Sequence, residues 1–453
     1  MLPESFLKSL QGLPGYDPAG FERVHAQNEQ VTSVRLNSDK LFEIGGHPFL
    51  NDTQGVPWCK HGVYLNERPS FVLDPLWHAG AYYVQEASSM FVSFILENIM
   101  PLTHGKIALD LCAAPGGKST LLANHFKNGL LVSNETIKSR NAILVENMTK
   151  WGSDHVIVTQ NDPAHFKRLP HFFDLMLIDA PCSGSGMFRK DPNAIKEWSE
   201  QNVQHCSTRQ ARILDDSIDT LKEGGYLIYA TCSYSFEEDE KMMDYISSIS
   251  GMQNIALNVP DEWNIVSTES PLTKSVGYRF YPDQVKGEGF FVSVFQKQTR
   301  ENVDYFNSIF NWDLISKQQQ ALLNAHFAIP ENYILINHQN NMLAIPRYFE
   351  MHIKAVLANL YVKKLGLNIG ELKGNDLIPA HDLAVSNWEN IPYQTIHVQL
   401  QTALNYLRRA DLELEGEKGW KVVCFQNIRL GWAKLLGNRS NNYYPNNWRI
   451  LNY

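Results

Sequence analysis

Several things are scarce in this 453-residue sequence. It has no excess of positive charge: 40 Lys and Arg stand against 48 Asp and Glu, a formal net charge of -8. A protein that coats nucleic acid indiscriminately needs a surplus of cations to neutralise phosphates, so that class is excluded, though a local basic surface is not. No apolar run approaches the roughly 18 residues that span a bilayer, and the first residues lack a basic stretch leading into an apolar core. The expected location is the cytoplasm, with no membrane partner. Six cysteines (Cys59, Cys112, Cys182, Cys206, Cys232, Cys424) show neither C-x-x-C pairs nor histidine spacing, so reduced thiols and no metal site are expected. Repeats and low-complexity segments are absent too.

What is present is 44% hydrophobic residues, enough to bury large cores in two or three domains. Residues 1 to 104 combine an amphipathic start, a strand-like VTSVRLN and a helix-like segment from Gln85 to Met100, and read as a small α/β module. From residue 105 to 298, short apolar strands alternate with helical stretches: KIALDLC, LLVSNE, HVIVTQ, FDLMLIDA, GGYLIYATCS and GFFVSVFQK. That alternation predicts a doubly wound, largely parallel sheet. The last strand leaves no room for a crossover helix and is expected to be antiparallel. A polar linker then leads to a third region, 305 to 453, with helices and strands of its own. From Glu417 onward it carries six basic residues against one acid, which suits either an RNA-facing surface or a solvated tail.

The segment Leu109-Asp-Leu-Cys-Ala-Ala-Pro-Gly-Gly-Lys-Ser119 closes a strand and opens a helix, with Gly116 and Gly117 allowing close backbone approach to a ligand. It lacks the G-x-G-x-x-G of a dinucleotide site, and Cys112 stands where a P-loop needs glycine. A sulfonium ligand needs no phosphate cradle. It needs a glycine turn, carboxylates for ribose hydroxyls and polar contacts for adenine. Glu135, Asp162 and Asp179 follow successive strands, whose carboxyl ends converge on one crevice.

Two cysteines also stand at neighbouring strand ends, in Asp179-Ala-Pro-Cys-Ser-Gly-Ser-Gly186 and Ala230-Thr-Cys-Ser233. A thiolate that adds to carbon 6 of cytosine turns carbon 5 into a nucleophile, and an acid such as Asp179 at ring nitrogen 3 offsets the developing charge. The residue pattern alone leaves open whether Cys182 or Cys232 attacks. An amino-group methylase would carry Asn/Asp-Pro-Pro-aromatic where this chain has Asp-Ala-Pro-Cys. Glu237 and Glu238 fit the first turn of a helix, where the dipole favours acids.

Through DLCAAPGGKS, DAPCSGSG and TCSYSFEEDE the chain resembles the Sun/Nop family of RNA cytosine-5 methyltransferases over the whole central region. The resemblance implies an α/β fold with a Rossmann-like class I methyltransferase domain and S-adenosylmethionine as cofactor. Its cofactor positions map onto Cys112, Ala113, Ala114, Pro115, Gly116, Gly117, Lys118, Glu135, Asp162 and Asp179. Cys232 is then the nucleophile and Cys182 helps to release the product. The runs GMFRKDPNAIKEWS and GWAKLLGNRSNNYYPNNWRI are similar to the RsmF/YebU-type branch acting on bacterial 16S ribosomal RNA. That branch implies a C-terminal α+β PUA-like RNA-binding module and a substrate in the small ribosomal subunit near the decoding region. A monomer suffices. Arg35 and Asn37 resemble a family Arg-x-Asn element and are expected either to contact RNA or to end a strand. Trp420, Trp432, Tyr443, Tyr444 and Trp448 are expected to divide between base stacking and core. Other readings are a non-catalytic RNA-binding assembly protein and a methyltransferase of tRNA.

Overall fold

The computed structural model describes residues 2–298 and 310–451, apart from 28, 41, 43–46, 52, 327, 328, 375, 390 and 392. The polar stretch expected as a linker lies largely outside the described residues.

β-branched and aliphatic runs form the centre. Strands Ile107–Asp110 (β5), Leu130–Asn134 (β6), Val156–Thr159 (β7), Phe173–Asp179 (β8) and Leu221–Thr231 (β9) are parallel, and β5 to β8 are buried on both faces, their polar side chains gathered mostly at the carboxyl ends. Before them in the chain come Thr32–Leu36 (β1), Gln54–Val56 (β2), Cys59–Leu65 (β3) and Tyr82–Val84 (β4), which form a small sheet of order β2-β3-β1-β4. After β9 come Met252–Asn254 (β10), Val266–Glu269 (β11), Val276–Phe280 (β12) and Phe290–Lys297 (β13). β13 runs antiparallel to β9, as expected from the missing crossover, with Phe291 opposite Thr231 and Val292 opposite Ala230.

The large sheet has the order β11-β12-β13-β9-β8-β5-β6-β7, and β10 pairs with β13. The chain winds outward from β5 in both directions, so the crevice opens at the carboxyl ends of β5 and β8. The helix-like segment from Gln85 divides into a short turn at Ser88–Met90 and a helix at Phe91–Ile99, whose Phe91, Val92, Ile95 and Leu96 face the core.

The C-terminal region contributes Tyr333–His338 (β14), Asn341–Pro346 (β15), Val362–Leu365 (β16), Leu367–Lys373 (β17), Asp376–Pro379 (β18), Thr395–His397 (β19), Gly419–Phe425 (β20), Ile428–Leu435 (β21) and Ser440–Asn442 (β22). Two four-stranded sheets result, β14-β15-β17-β18 and β19-β20-β21-β22, while β16 leaves them and pairs antiparallel with the β7 edge of the central sheet. The edge of a parallel sheet is thereby covered by another part of the same chain. The basic run after Glu417 is no solvated tail: it builds β20 to β22, with Lys421 buried. Trp432 and Tyr444 are core residues, whereas Tyr443 is 40% exposed beside a half-buried Trp420 over which Lys434 lies at 5.2 Å.

The N-terminal module shares one apolar cluster with the C-terminal region, in which Val34, Leu76 and Tyr82 pack with Tyr406, Leu430 and Tyr444. Its first two helices bury Phe6 and Phe21 against Phe188, Trp198 and Tyr234 of the central region. Of the two alternatives for Arg35 and Asn37, the strand end holds: β1 closes at Leu36 and both side chains are buried. Arg35 is 3% exposed, donates to Gln85 Oε1 at 2.8 Å and Thr120 Oγ1 at 2.5 Å, and lies 4.7 Å over the Trp151 ring. Burial lowers its pKa to about 10. Asn37 is buried likewise and donates to the Gly80 and Trp151 carbonyls. Both are brackets between module and central domain, because β1 is sandwiched there rather than open to solvent.

Candidate active site

A cavity of about 540 Å³ opens at the crevice above β5 and β8. That is the size of a small-molecule site. One wall is the turn between β5 and its helix: Asp110, Cys112, Ala113, Ala114, Pro115, Gly117 and Lys118. Gly116 precedes the helix Gly117–His125 with φ +119°, a backbone state that suits glycine. A Cβ on Gly117 would come within 3.3 Å of the Tyr83 ring, which lines the cavity from the N-terminal module. Two residues of the next helix hold the turn: Arg140 donates to the Ala114 carbonyl at 2.7 Å and Asn147 to the Pro115 carbonyl at 2.8 Å.

The opposite wall carries Asp179, Met187, Lys190, Cys232, Gly289 and Phe290. Lys118 is drawn across to it: Nζ sits 2.7 Å from Asp179 Oδ2 and 5.2 Å over the Phe290 ring. Burial opposes its charge, but Asp179 raises its pKa above the ordinary value. Lys118 therefore faces the site.

The two thiols meet. Cys182 Sγ and Cys232 Sγ are 3.0 Å apart, at the ends of adjacent strands whose register sets Asp179 opposite Ala230. Cys232 lines the cavity and Cys182 stands outside its wall. The hydrogen bond to Cys232 and burial push the Cys182 thiol well above its ordinary value, so Cys182 keeps its proton. The thiol-bearing turns interlock: the Gly186 N–H donates to the Cys232 carbonyl at 2.8 Å, and a Cβ on Gly186 would lie 2.4 Å from the Gly289 carbonyl oxygen.

Glu135 and Asp162 are not on the cavity wall among the described residues. Glu135 ends β6, accepts from the Ile137 N–H at 2.8 Å and lies 3.4 Å from Arg140, itself a wall residue. Asp162 caps the turn after β7 by accepting from the Ala164 N–H at 3.1 Å, and lies 3.5 Å from Arg212.

Three features escaped the sequence reading. Asp110, at the end of β5, lies fully buried in the wall; Ser119 donates to Oδ2 at 2.6 Å, but Oδ1 has no partner. Burial, with Asp179 nearby, raises its pKa to about 7. An acid placed inside an apolar strand end was the available signal. Second, the N-terminal module supplies a third wall, including Thr32, Ser33, Arg68, Gln85 and Glu86, which no local motif announces. The third is Glu238. The helix after the Thr-Cys-Ser turn starts at Glu240, so the dipole reading of Glu238 is corrected: it is fully buried behind the thiols.

An acid-lined cavity with one orphaned carboxylate oxygen suits a cationic ligand bearing amino and hydroxyl donors. In the ligand-free protein Asp110 is a destabilising group. Its folded pKa lies above the ordinary 3.8, so stability is intact below about pH 4 and is lost as the pH rises through about 7. By about 1.4 kcal/mol per pH unit the loss reaches ~4 kcal/mol. Asp110→Asn is therefore expected to gain several degrees in Tm over the wild type at pH 8 and little at pH 4; calorimetry at the two pH values checks this.

Three family models match the chain: "16S rRNA methyltransferase RsmB/F" over residues 98–296, the N-terminal domain of the 16S rRNA methyltransferase RsmF over 2–87, and the methyltransferase RsmF PUA domain over 393–450. The ribosomal RNA small subunit methyltransferase F of Vibrio cholerae serotype O1 (strain M66-2) is 29% identical over 471 aligned positions, covering 98% of this chain and 97% of that protein. The crystal structure of a methyltransferase homologue from Pyrococcus horikoshii superposes with a TM-score of 0.52 at 26% identity, covering 65% of this chain and 100% of that one. NSun6 from Pyrococcus horikoshii, crystallised with the S-adenosylmethionine analogue SFG, shares the fold with a TM-score of 0.55 at 17% identity, covering 66% of this chain and 99% of that one. With the thiol pair, the glycine turn and three matching regions on one chain, the protein is an S-adenosylmethionine-dependent RNA methyltransferase similar to the RsmB/F family.

Proposed function

We propose that this chain methylates carbon 5 of a cytosine in 16S ribosomal RNA, near the decoding region of the small subunit, through a covalent bond from Cys232 to the base. The observation that carries the reading is the thiol pair: two sulfurs 3.0 Å apart, of which Cys232 opens on the cavity beside Asp179 and Lys118.

S-adenosylmethionine suits the cavity: Asp110 and its neighbouring acids would favour its positive charges, and the unpartnered Asp110 Oδ1 would accept from a ligand N–H or O–H. Cys112 to Lys118 would hold it together with Asp179, and Glu135 and Asp162, at the ends of β6 and β7 beyond the lining residues, would serve its ribose and adenine. When bound it supplies an electrophilic methyl carbon. The chain's own residues make the base receptive. The Cys232 thiolate adds to carbon 6, the electron pair of the 5,6 double bond moves towards carbon 5 and into the ring, and a proton shared between nitrogen 3 and the Asp179 carboxyl offsets the negative charge there. Once carbon 5 carries its methyl, water takes the carbon 5 proton, the electron pair left behind re-forms the 5,6 double bond, and the carbon 6–sulfur bond breaks with Cys232 leaving as thiolate. Cys182, holding a proton 3.0 Å away, is placed to assist that departure.

The likeness of its relatives' names and of the PUA match supports ribosomal RNA as substrate. Trp420, Tyr443 and Lys434 on the β20–β22 sheet offer unpaired bases a half-open stacking face. The proposed N-terminal module (1–104), methyltransferase domain (105–298) and C-terminal region (305–453) act as a monomer in the cytoplasm. Among the described residues no helix is long and apolar enough to cross a membrane.

Transfer of labelled methyl from S-adenosylmethionine to purified small subunits, to their extracted RNA and, separately, to transfer RNA, followed by nucleoside digestion, tests the reading. 5-Methylcytidine is expected. Label in another nucleoside overturns the chemistry. Label in cytosine of transfer RNA alone overturns the substrate.

A further inference from the structure

Cys182 and Cys232 each precede a serine, and both serines turn to the same carboxylate. Glu238 Oε1 accepts from the Ser183 N–H at 2.9 Å and from Gln210 Nε2 at 3.0 Å, and Oε2 accepts from Ser183 Oγ at 2.5 Å and Ser233 Oγ at 2.7 Å. Four donors reach one fully buried acid, all of them from groups that shape the two thiol-bearing turns. Ser183 follows β8, and Ser233 follows β9. No other described side chain receives hydrogen bonds from both serines that follow the thiols.

Gln210 extends the strut. From the helix Glu200–Ser217 it also donates to the Pro181 carbonyl at 3.1 Å, just before Cys182, and its Oε1 accepts from the Tyr229 hydroxyl at 3.0 Å. The same hydroxyl lies 2.8 Å from the Glu238 carbonyl. Glu238 is therefore tied through side chain and backbone to helix, strand and both turns. Surface helix-start acids make no such set of bonds. A buried carboxylate persists only where donors compensate for lost hydration, and these donors are committed to it.

We propose that Glu238 is a positioning residue: by gripping Ser183 and Ser233 it sets the sulfur of Cys182 against that of Cys232. The inference rests on the thiol roles proposed above and deepens them. It explains why neither turn can drift, since a shift of either serine leaves an acceptor of a buried carboxylate unpaired.

The spacing of two thiols can be read directly. Diamide removes two hydrogens from a neighbouring thiol pair and joins the sulfurs as a disulfide, so its rate of cross-linking Cys182 to Cys232, followed by peptide mass, reports their register without RNA or methyl transfer. Glu238→Gln keeps the volume and removes the charge. It is expected to slow cross-linking and lower kcat by about 10- to 100-fold, the usual penalty for a misplacement of about 1 Å. KM for S-adenosylmethionine is expected to stay within about twofold, because the Asp110–Lys118 turn shares no bond with Glu238. If Glu238→Gln does not fold, the Ser183→Ala/Ser233→Ala double variant removes donors and keeps the carboxylate, and the same directions are expected. A wild-type cross-linking rate or a wild-type kcat in a folded variant overturns the proposal. The thiol reading fails by a different route, a Cys232→Ala protein that still methylates, and the cross-linking result stands apart from it.

Discussion

Replacing Cys232 by alanine is expected to abolish methyl transfer while leaving cofactor affinity within about twofold of the wild type. The size of the effect follows from the chemistry: without the thiolate, carbon 5 of cytosine stays electron-poor, and no other cavity residue supplies an equivalent nucleophile. Loss of a covalent nucleophile lowers kcat by about 10⁴-fold or more in comparable enzymes. Cys112 also lines the cavity, but burial pushes its thiol well above the ordinary value and acids surround it, so it stays protonated. Binding survives because the Asp110–Lys118 turn is held by Arg140 and Asn147, not by the thiols. Cys182→Ala is expected to do the opposite to the base: the Cys232 bond forms and departs slowly, so RNA–protein adduct accumulates on a denaturing gel. Adduct in Cys232→Ala instead would reverse the two roles. The measurements are labelled methyl counts, calorimetric titration with the cofactor and the gel.

Arg279→Met is expected to lower global stability by about 3–5 kcal/mol, the range for stripping one partner from a buried ionic cluster. Arg279 on β12 is 1% exposed, reaches Asp239 Oδ2 at 3.1 Å and clasps the Glu240 carboxylate through Nε at 2.6 Å and through Nη2. Burial works against its charge, but the two acids hold its pKa above the ordinary arginine value. Methionine would fill the space and leave two buried carboxylates without a cation. The damage would run on to the site, since Asp239 accepts from Thr231 Oγ1 at 2.7 Å and Arg279 donates to the Tyr234 carbonyl at 3.1 Å, one residue before and two after Cys232. Urea unfolding followed by tryptophan fluorescence checks the number. An unchanged midpoint would mean that the two acids take up protons at little expense.

The TCSYSFEEDE segment thus carries more than its motif suggests. Its cysteine is legible, because a thiol at a strand end in a hydroxyl-rich turn is unusual company for an inert residue. Its acids are not. Glu237 and Glu238 read along the chain as first-turn acids of a helix, and only the folded chain shows that Glu238 serves Ser183, while Asp239 and Glu240 at the actual helix start serve Thr231 and Arg279. Arg35 misleads in the opposite direction. Its resemblance to a family Arg-x-Asn element offered an RNA contact, and Gln85 and Thr120, 50 and 85 residues away, claim it instead.

The sequence by itself determined the central sheet, its antiparallel last strand, the glycine turn and the presence of two strand-end thiols. These are local properties: apolar runs of strand length, a crossover too short for a helix, and residue types whose chemistry does not depend on their neighbours. Tertiary structure alone decided which thiol faces the cavity, that Asp110 is raised and half-satisfied, that the N-terminal module closes the pocket, and that β16 caps the β7 edge. Each of these depends on groups tens to hundreds of residues apart in the chain being brought within a few ångströms, with water removed from between them. Burial and pairing of that kind are properties of the packed whole, which no spacing along the chain encodes.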